Sequence, residues 1–386
     1  MDEKVGVIGT GVTYFNKNNR KQRLEEMIFE ASYNALDNAG VKREQIDGLV
    51  IAACDELDGR SISSMLTATP AGGYLKDEIK VTDEGAYAVF LGAMRVLAKD
   101  LEIALVVSWN KTSEGPIDNV MSMRWEPFFH RGLGLNHITS AALMANQYME
   151  KYEISEKIPA MIVEKNINNG NDNPLIMEKR NLSFTQVLDS EVISWPIKKE
   201  ETGPLVDTAC AIVLASEKKC EELGVQPIWI EGMGSAIDTY YIGDRDLSSL
   251  EALKIAAQKA YLMAGINDPL NQLDVVELHD LTPYHELIAY EGLGFCKHGY
   301  ASKLINDGVT YPGGRLPVNL SGGTLSANPF FCGGLIRFLE AYYQLKGNND
   351  NYKKLNANTA LAHSTNGFAA QGHVVFILRK GGLGLN

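Results

Sequence analysis

The chain has 386 residues, of which 45% are hydrophobic and 22% charged, and this composition is typical of a globular protein rather than a disordered one. A formal net charge of −12 argues against nucleic acid as the main partner, because binding to phosphates needs a basic field. No apolar run reaches the ~18 residues of a membrane span, and the N-terminus lacks the regions of a signal peptide. We therefore expect a cytoplasmic protein that binds no membrane.

Residues 1–110 are predicted to alternate between strands and helices. Apolar side chains at helical spacing over 23–39 predict a helix, and Gly40 ends it. The later elements of this part are a strand at 46–51, a strand at 79–82, a helix at 86–97 and a buried strand at 103–108.

Residues 111–200 break this pattern and are rich in Gly, Pro, Asn and aromatic residues, with two helical stretches at 138–152 and 158–168. Such an insertion usually covers an active face or forms a dimer contact, since the regular layers already carry the core. We therefore predict an inserted loop and lid domain over 111–200, after which 201–225 completes the first half.

Residues 226–386 repeat the first half. Gly232 and Gly234 stand in a strand where the first half has Gly9 and Gly11. A duplicated unit of strand, helix and strand predicts two similar α/β layers packed on each other, with functional groups at the seam. The repeated elements are a strand at 273–278, a helix at 335–343, a strand at 359–364 and a closing strand at 373–378.

The cysteines are scattered, with no Cys-x-x-Cys pair and no histidine at zinc-finger spacing. This spacing predicts buried thiols in a reducing compartment rather than a metal site. They are Cys54, Cys210, Cys220, Cys296 and Cys332.

Five segments together carry a family resemblance through their order and spacing. They are Val7-Ile8-Gly9-Thr10-Gly11, Glu277-Leu278-His279-Asp280-Leu281-Thr282, Leu293-Gly294-Phe295-Cys296, Pro317-Val318-Asn319-Leu320-Ser321-Gly322-Gly323 and Ala362-His363-Ser364-Thr365-Asn366-Gly367. The chain resembles the thiolase superfamily over nearly its whole length, in particular archaeal and sterol-carrier-protein-type thiolases and their thiolase-like relatives. This resemblance implies an α/β class fold: a duplicated, five-layered α-β-α-β-α thiolase fold with an inserted loop domain.

The resemblance also indicates what this chain lacks. Thiolases take the acyl group on a cysteine at a helix start, and the histidine of a Gly-His-Pro motif activates that thiol. The matching positions here are Gly85 and Asn328, and an amide cannot act as a base near neutral pH. A covalent acyl-enzyme at Gly85 is therefore excluded, although Cys332 or Cys296 remains open as a substitute thiol.

The remaining residues of the predicted catalytic site are assigned from the same resemblance, except Glu84, which is chosen because it precedes a predicted helix. His279 matches a histidine that helps to bind the thioester oxygen, and the backbone amides of Gly85 and Gly367 are the expected oxyanion donors. Glu84 is either an N-terminal helix cap or an acid/base, and Asn328 is either a site residue or a turn residue. The predicted substrate and coenzyme A contacts are Ser321, Gly322, Gly323, Asn366 and Tyr284, of which Tyr284 is open to a packing role.

Two classes of function remain open from the sequence. The first is a thiolase-like enzyme that makes or breaks a carbon–carbon bond next to a coenzyme A thioester, either as an acyltransferase or as an aldolase on a β-hydroxyacyl-CoA. The second is a non-catalytic acyl-CoA or lipid-binding scaffold. We expect coenzyme A as a substrate, with no tightly bound cofactor and no metal. The resemblance further implies a homodimer and a small accessory subunit with a zinc ribbon and an oligonucleotide-binding fold.

Overall fold

The computed structural model describes residues 3–347 and 356–381. Its strands are β1 (Val5–Val12), β2 (Gly48–Ala53), β3 (Asp77–Thr82), β4 (Ile103–Asn110), β5 (Val192–Ser194), β6 (Ile197–Lys198), β7 (Thr208–Ser216), β8 (Ile228–Ile237), β9 (Val275–Glu277), β10 (Thr359–Asn366) and β11 (Gly372–Lys380). Its helices are α1 (Leu24–Ala39), α2 (Asp55–Asp58), α3 (Ser64–Thr67), α4 (Gly85–Leu97), α5 (Ile117–Arg124), α6 (His137–Tyr152), α7 (Lys157–Gly170), α8 (Phe184–Leu188), α9 (Glu217–Leu223), α10 (Glu251–Ala264), α11 (Pro269–Gln272), α12 (Pro283–Gly292), α13 (Ala301–Asn306), α14 (Gly323–Ser326) and α15 (Gly333–Lys346).

The strand order repeats, as the duplicated sequence predicts. Nine strands are hydrogen-bonded in the order β3-β2-β4-β7-β1-β8-β11-β10-β9. Read from its edge, the second half runs β9-β10-β11-β8, which matches β2-β4-β7-β1 in the first half, where β3 is an additional edge strand. Two residue pairs, Gly6 with Trp229 and Val7 with Ile228, join β1 to β8. The prediction of a duplicated α/β fold is confirmed.

Helices lie between the two halves of the sheet and on both outer faces. Side chains of α4 and α15, such as Val89 and Leu339, share one core with the facing sides of both halves. Helix α1 covers the outer face of the first half, and α10 covers that of the second. The result is the predicted succession of five layers, α-β-α-β-α.

The repeated glycines are explained by this packing. A Cβ atom at Gly11 would lie 2.1 Å from the Ala31 carbonyl oxygen of α1. At Gly234, a Cβ atom would likewise lie 2.1 Å from the Ala256 carbonyl oxygen of α10. Each outer helix therefore lies directly on the backbone of the first strand of its half, and only glycine fits there.

The segment 111–200 contributes α5 to α8 and the small β5–β6 pair. Its helices α6 and α7 pack against α12 of the second half. The end of α5 and the start of α6 lie at the cavity described below. Within the residues that the structure places, we find no helix that combines the length and the apolar character needed to cross a bilayer.

Candidate active site

A cavity of about 330 Å³ lies where the 111–200 segment meets both halves of the sheet. Aromatic and aliphatic side chains make up much of its wall, which suits the apolar part of a ligand. They include Met121, Trp125, Leu281, Phe330, Phe331 and Phe368. The charged and titratable groups in the wall are Glu56, Asp83, Glu84, Arg124, His137, His279 and His285.

Glu84 is both the N-terminal cap of α4 and part of the cavity wall. Its Oε2 atom accepts a hydrogen bond from the Ala86 backbone N–H at 3.0 Å. The Gly334 N–H of α15 donates to Oε1 at 2.5 Å, and the Ser364 hydroxyl of β10 also donates to this carboxylate. Donors from both halves of the molecule therefore hold one buried carboxylate in place.

The surroundings of Glu84 shift its titration toward neutral pH. Burial, which disfavours the charged form, raises the pKa of Glu84 to about 7, although the hydrogen bonds from Ser364, Gly334, Ala86 and Gly85 oppose the shift. A carboxylate with such a pKa can both take and return a proton under physiological conditions. Glu84 is thus equipped for acid/base chemistry as well as for capping.

His279 and Glu84 line the same cavity, and each approaches the start of α15. A Cβ atom at Gly333 would lie 2.9 Å from His279 Nε2, and one at Gly334 would lie 2.2 Å from Glu84 Oε2. Two consecutive glycines therefore let the imidazole and the carboxylate approach the same helix start. The structure brings together these two residues from opposite halves.

The histidines at this end of the cavity are neutral. Burial, with smaller effects of Arg337 and His285, lowers the pKa of His279 to about 3. Burial also lowers the pKa of His285 to about 4, and its Nδ1 lies 2.9 Å from the Thr282 hydroxyl. A neutral imidazole can donate an N–H to an oxygen atom, but it holds no positive charge there. The sequence analysis missed His285.

Gly85 does not form part of the cavity wall, which corrects its predicted role as an oxyanion donor. A Cβ atom at this position would lie 2.7 Å from Leu335 Cβ and 3.1 Å from Ser108 Oγ. Its backbone N–H is turned toward the Glu84 carboxylate instead. The space that a side chain at this position would need is filled by Leu335 and Ser108.

Arg124 forms a second polar cluster in the wall. Its guanidinium donates to Asp83 and approaches Cys54 Sγ at 3.5 Å, and it also lies over the Phe331 ring at 5.4 Å. Cys54, Glu56 and Asp83 place their ligand atoms within 4.8 Å of one another, a geometry that could hold a metal ion. The Arg124 guanidinium already supplies a cation to this group. Burial raises the pKa of Cys54 to about 12, so that the thiol is protonated near neutral pH.

The turn between β10 and β11 closes one side of the cavity. Both Asn366 and Gly367, two of the predicted site residues, line it together with Phe368, whose ring stacks on Trp125 at 4.7 Å. Backbone φ angles are positive at Gly367, Ala369 and Ala370. This geometry is uncommon for alanine, and the surrounding structure must hold it.

Three other residues predicted to contact the ligand, Ser321, Gly322 and Gly323, face the protein interior instead. The Ser321 hydroxyl donates to Glu277 Oε2 at 2.5 Å and accepts from Arg337 at 2.7 Å. A Cβ atom at Gly322 would meet Gly170, and one at Gly323 would meet the Asp280 carboxylate. These glycines permit close internal packing and do not line the cavity.

Tyr284 and Asn328 also lie outside the cavity wall. The Tyr284 ring is buried among Ala142, Ala145 and Ile197, in the packing role that the sequence left open. Asn328 caps a turn, because its side-chain oxygen accepts a hydrogen bond from the Phe330 N–H at 3.0 Å.

Neither proposed substitute thiol reaches the cavity. Cys332 is buried, and its thiol donates to the Pro329 carbonyl at 3.3 Å. Burial and the nearby Glu291 raise the pKa of Cys296 to about 12. Neither thiol lines the cavity, and the raised pKa of Cys296 further disfavours it as a nucleophile.

Comparisons with known proteins agree with this architecture. A family model described as "Thiolase C-terminal domain-like" matches residues 234–380. The acetyl-CoA acetyltransferase of Methanothermobacter thermautotrophicus is 26% identical over 376 residues, which cover 94% of this chain and 96% of that protein. Sterol carrier protein 2 of Gallus gallus is 26% identical over 388 residues, which cover 94% of this chain and 70% of that protein. The solved structure of an Ltp2-ChsH2(DUF35) aldolase has the same fold, with a TM-score of 0.81, 22% identity and 98% coverage of both chains.

Proposed function

The chain belongs to the thiolase superfamily, and we propose that it makes or breaks a carbon–carbon bond next to a coenzyme A thioester by aldol chemistry. The observation that carries this proposal is the position of Glu84. Its carboxylate, with a pKa near neutrality, lies in the cavity beside a neutral imidazole, at the helix start where the sequence has Gly85 instead of a cysteine. The site offers a base and a hydrogen-bond donor, which aldol cleavage needs, and no thiol to carry an acyl group.

In the cleavage direction, the substrate is a β-hydroxyacyl-CoA. The Glu84 carboxylate removes the proton from the β-hydroxyl group, and a carbonyl forms there as the bond between the α and β carbons breaks. The electron pair of that bond passes into the thioester, whose oxygen gains negative charge and accepts a hydrogen bond from His279. Protonated Glu84 then returns the proton to the α carbon. The products are an aldehyde or ketone and a shortened acyl-CoA, and condensation is the reverse.

The cavity wall supports a bulky, uncharged acyl group. Four aromatic side chains line the cavity. Phe330, Phe331 and Phe368 come from the second half, and Trp125 comes from the inserted segment. The carboxylates of Glu56, Asp83 and Glu84 outnumber the single guanidinium, and they disfavour an anionic acyl chain. Coenzyme A enters as part of the substrate and is not a resident cofactor.

Acyl transfer is the second candidate function, and the similarity to acetyl-CoA acetyltransferases favours it. In that reaction Glu84 ionises the thiol of free coenzyme A, and the thiolate attacks the ketone of a β-ketoacyl-CoA. The bond between the α and β carbons then breaks, its electron pair passes into the thioester, and Glu84 returns the proton to the α carbon, which gives two acyl-CoA products. This candidate requires free coenzyme A, whereas aldol cleavage does not.

The experiment that separates the candidates is product analysis by liquid chromatography and mass spectrometry. Purified protein is mixed with branched and aromatic β-hydroxyacyl-CoA and β-ketoacyl-CoA thioesters, with and without free coenzyme A. Aldol chemistry predicts a carbonyl fragment and an acyl-CoA in equal amounts from the hydroxy substrates without added coenzyme A. Cleavage of the keto substrates only, and only with added coenzyme A, would instead establish acyl transfer. Binding without any turnover would leave the scaffold role.

We also propose that the protein works as a homodimer with a small second subunit. The similar solved aldolase is named for two proteins, which supports a partner for this chain. An aromatic surface formed by Phe128, Phe129, Tyr240 and Tyr241 adds support, since Phe128 is 87% exposed and Phe129 is 62% exposed. Large exposed apolar patches of this kind often mark interaction sites. Co-expression and pull-down with a candidate small zinc-ribbon subunit tests this surface. We expect the wild-type protein to capture the subunit and Phe128→Asp to lose it.

A further inference from the structure

One buried arginine holds the turn that closes the cavity. The side chain of Arg245, which lies in the loop after β8, is 4% exposed and does not line the cavity. Its Nη1 donates to the Phe368 carbonyl at 2.7 Å, while its Nη2 donates to the carbonyls of Ala369 at 2.8 Å and Ala370 at 3.2 Å. A single guanidinium therefore binds three consecutive carbonyl oxygens.

Other contacts fix the same turn from both ends. Asp238 lies 3.4 Å from Arg245 Nε, and its backbone exchanges hydrogen bonds with Gln371. The Ala370 carbonyl also lies 3.0 Å from His373 Nε2, which must carry a proton there because the carbonyl can only accept. The left-handed backbone at Ala369 and Ala370 is thus held by more than one partner, as strained functional turns require.

The direction of the carbonyls determines where the amides point. In a trans peptide unit, the C=O group and the following N–H group point in opposite directions. The carbonyls of Phe368 and Ala369 point to Arg245, and so the N–H groups of Ala369 and Ala370 point away from it. Neither of these two amides donates a hydrogen bond to another residue that the structure describes. Successive backbone amides in a turn can form a concavity that binds anions, and residues 367–370 form such a turn.

We propose that Arg245 is a positioning residue, which holds the turn so that the Ala369 and Ala370 amides face the cavity and stabilise the thioester oxygen as it gains negative charge. The role rests on the proposed function. It adds a backbone element to the His279 donor, from the loop that follows β10. Arg245 acts through the turn and does not touch the substrate.

The variant that tests this role is Arg245→Lys, because lysine keeps the charge but lacks the planar fork whose two terminal nitrogens bind the three carbonyls. We expect kcat to fall at least tenfold while KM for the β-hydroxyacyl-CoA stays within about twofold, since the amides act on charge that develops only in the transition state. Arg315→Lys is the matched control, because Arg315 also donates to backbone carbonyls, those of Leu273 and Asn271, and neither of these two residues lines the cavity. Wild-type kcat in Arg245→Lys, or a change in KM alone, would overturn the proposal.

Two further measurements keep the result decisive. If Arg245→Lys does not fold, Asp238→Asn removes the charge partner of Arg245, and a lower kcat with unchanged KM is again expected, whereas wild-type kcat overturns the proposal. A crystal structure of a folded variant gives a readout that does not depend on turnover. Loss of positive φ at Ala369 and Ala370 supports the role of Arg245, and retention contradicts it even if the wild-type protein proves inactive. Inactivity of the wild type towards every substrate offered would count against the proposed function alone.

Discussion

Glu84 shows how one residue can satisfy a structural rule and still carry chemistry. Carboxylates before a helix ordinarily serve as caps, and Glu84 does cap α4. Its other oxygen, Oε1, accepts a hydrogen bond from Gly334 in the first turn of a different helix, α15. Glu84 also lines the cavity. A surface cap would have no reason to be 2% exposed or to titrate near pH 7. The burial that raises its pKa is what suits Glu84 to the proposed role of base.

Replacement of Glu84 by glutamine keeps the shape of the side chain and removes the base. We expect kcat for Glu84→Gln to fall by about 10²–10⁴-fold, the usual contribution of a positioned acid/base group. Glu201→Gln is the matched control, because burial also raises the pKa of Glu201 to about 7 but this residue does not line the cavity. Steady-state kinetics of both variants, normalised to folded protein, decide the point. Equal losses in the two would show that Glu84 is only structural.

The pH dependence follows from the same carboxylate. As a base it must be ionised, and we expect kcat/KM to rise with pH through about 7. The folded chain keeps this proton up to about pH 7, whereas the unfolded chain loses it near the ordinary pKa of 4.5, so that stability is lost as pH rises between these values. Glu84→Gln lacks this loss, which amounts to about 3 kcal/mol. Its unfolding free energy relative to wild type should therefore rise between pH 5 and pH 8, and a flat difference would contradict the assignment.

His279 is expected to act as a donor and not as a base, because its pKa is far below neutrality. We expect His279→Ala to lower kcat by about 10²-fold or more, similar to the removal of one oxyanion donor in other enzymes. His298→Ala provides the comparison, since His298 pairs with Glu291 outside the cavity. The same acyl-CoA assay measures both, and unchanged turnover in His279→Ala would rule out the oxyanion role.

Among individual residues, the sequence indicated those that lie in recognisable motifs, but it did not indicate the other side chains that surround them in the cavity. The resemblance identified His279, Asn366 and Gly367, which all line the cavity, because they lie in recognisable segments at strand ends. It missed Arg124 and His285, which no motif marks and which reach the cavity only through tertiary packing.

At the level of elements, the start of α4 explains why the nucleophile cannot simply be restored. Gly85 meets Leu335 of α15 so closely that a methyl group would clash, with a Cβ to Cβ distance of 2.7 Å. The two helices of the central layer are therefore closer here than a side chain allows. The absence of a side chain at Gly85 is therefore coupled to the packing of the core.

Gly85→Ala should accordingly lower the free energy of unfolding by about 1–3 kcal/mol, the usual cost of overpacking. In the Leu335→Ala background the added methyl group has room, and the same change should cost less, giving a measurable coupling between the two sites. Gly132→Ala is the control, since a Cβ atom there would meet nothing within 4 Å. Denaturant titrations of these variants measure the effect. Additive costs would mean that Leu335 does not fill the space.

The glycine-rich run illustrates a limit of local pattern reading. Ser321, Gly322 and Gly323 have the composition of a ligand-binding loop, and the sequence alone favoured that role. In the fold, the buried side chains of Glu277, Arg337 and Asp280 occupy the space around them. Whether a small-residue turn faces a ligand or the protein interior depends on residues far along the chain, and local sequence does not carry that information.

For the whole molecule, duplication explains both the fold and the place of the site. The repeated glycine pairs allow each outer helix to lie on its half of the sheet, and the duplicated α/β fold was predictable from the sequence. The contacts between the halves were not, because Glu84 and His279 meet through two glycines of α15 that no repeat indicates. The site therefore exists only when both halves and the inserted segment have packed together.

The proposed homodimer is also tested at this level. We expect light scattering after size-exclusion chromatography to give twice the mass of one chain, and a larger complex when the small subunit is present. The dimer mass should persist in Phe128→Asp, because we assign that aromatic surface to the second subunit and not to the dimer contact. A mass of one chain at micromolar concentration would contradict the proposed homodimer.

The central claim is that this cavity cleaves a carbon–carbon bond without ever holding the acyl group on sulfur. Intact-mass spectrometry of protein quenched with acid during turnover of a β-hydroxyacyl-CoA tests it most directly. If the cleavage is an aldol reaction without an acyl-enzyme, the protein keeps its unmodified mass at every time point while the carbonyl product accumulates. A transient mass increase equal to the acyl group, mapped to any of the five cysteines, would contradict it.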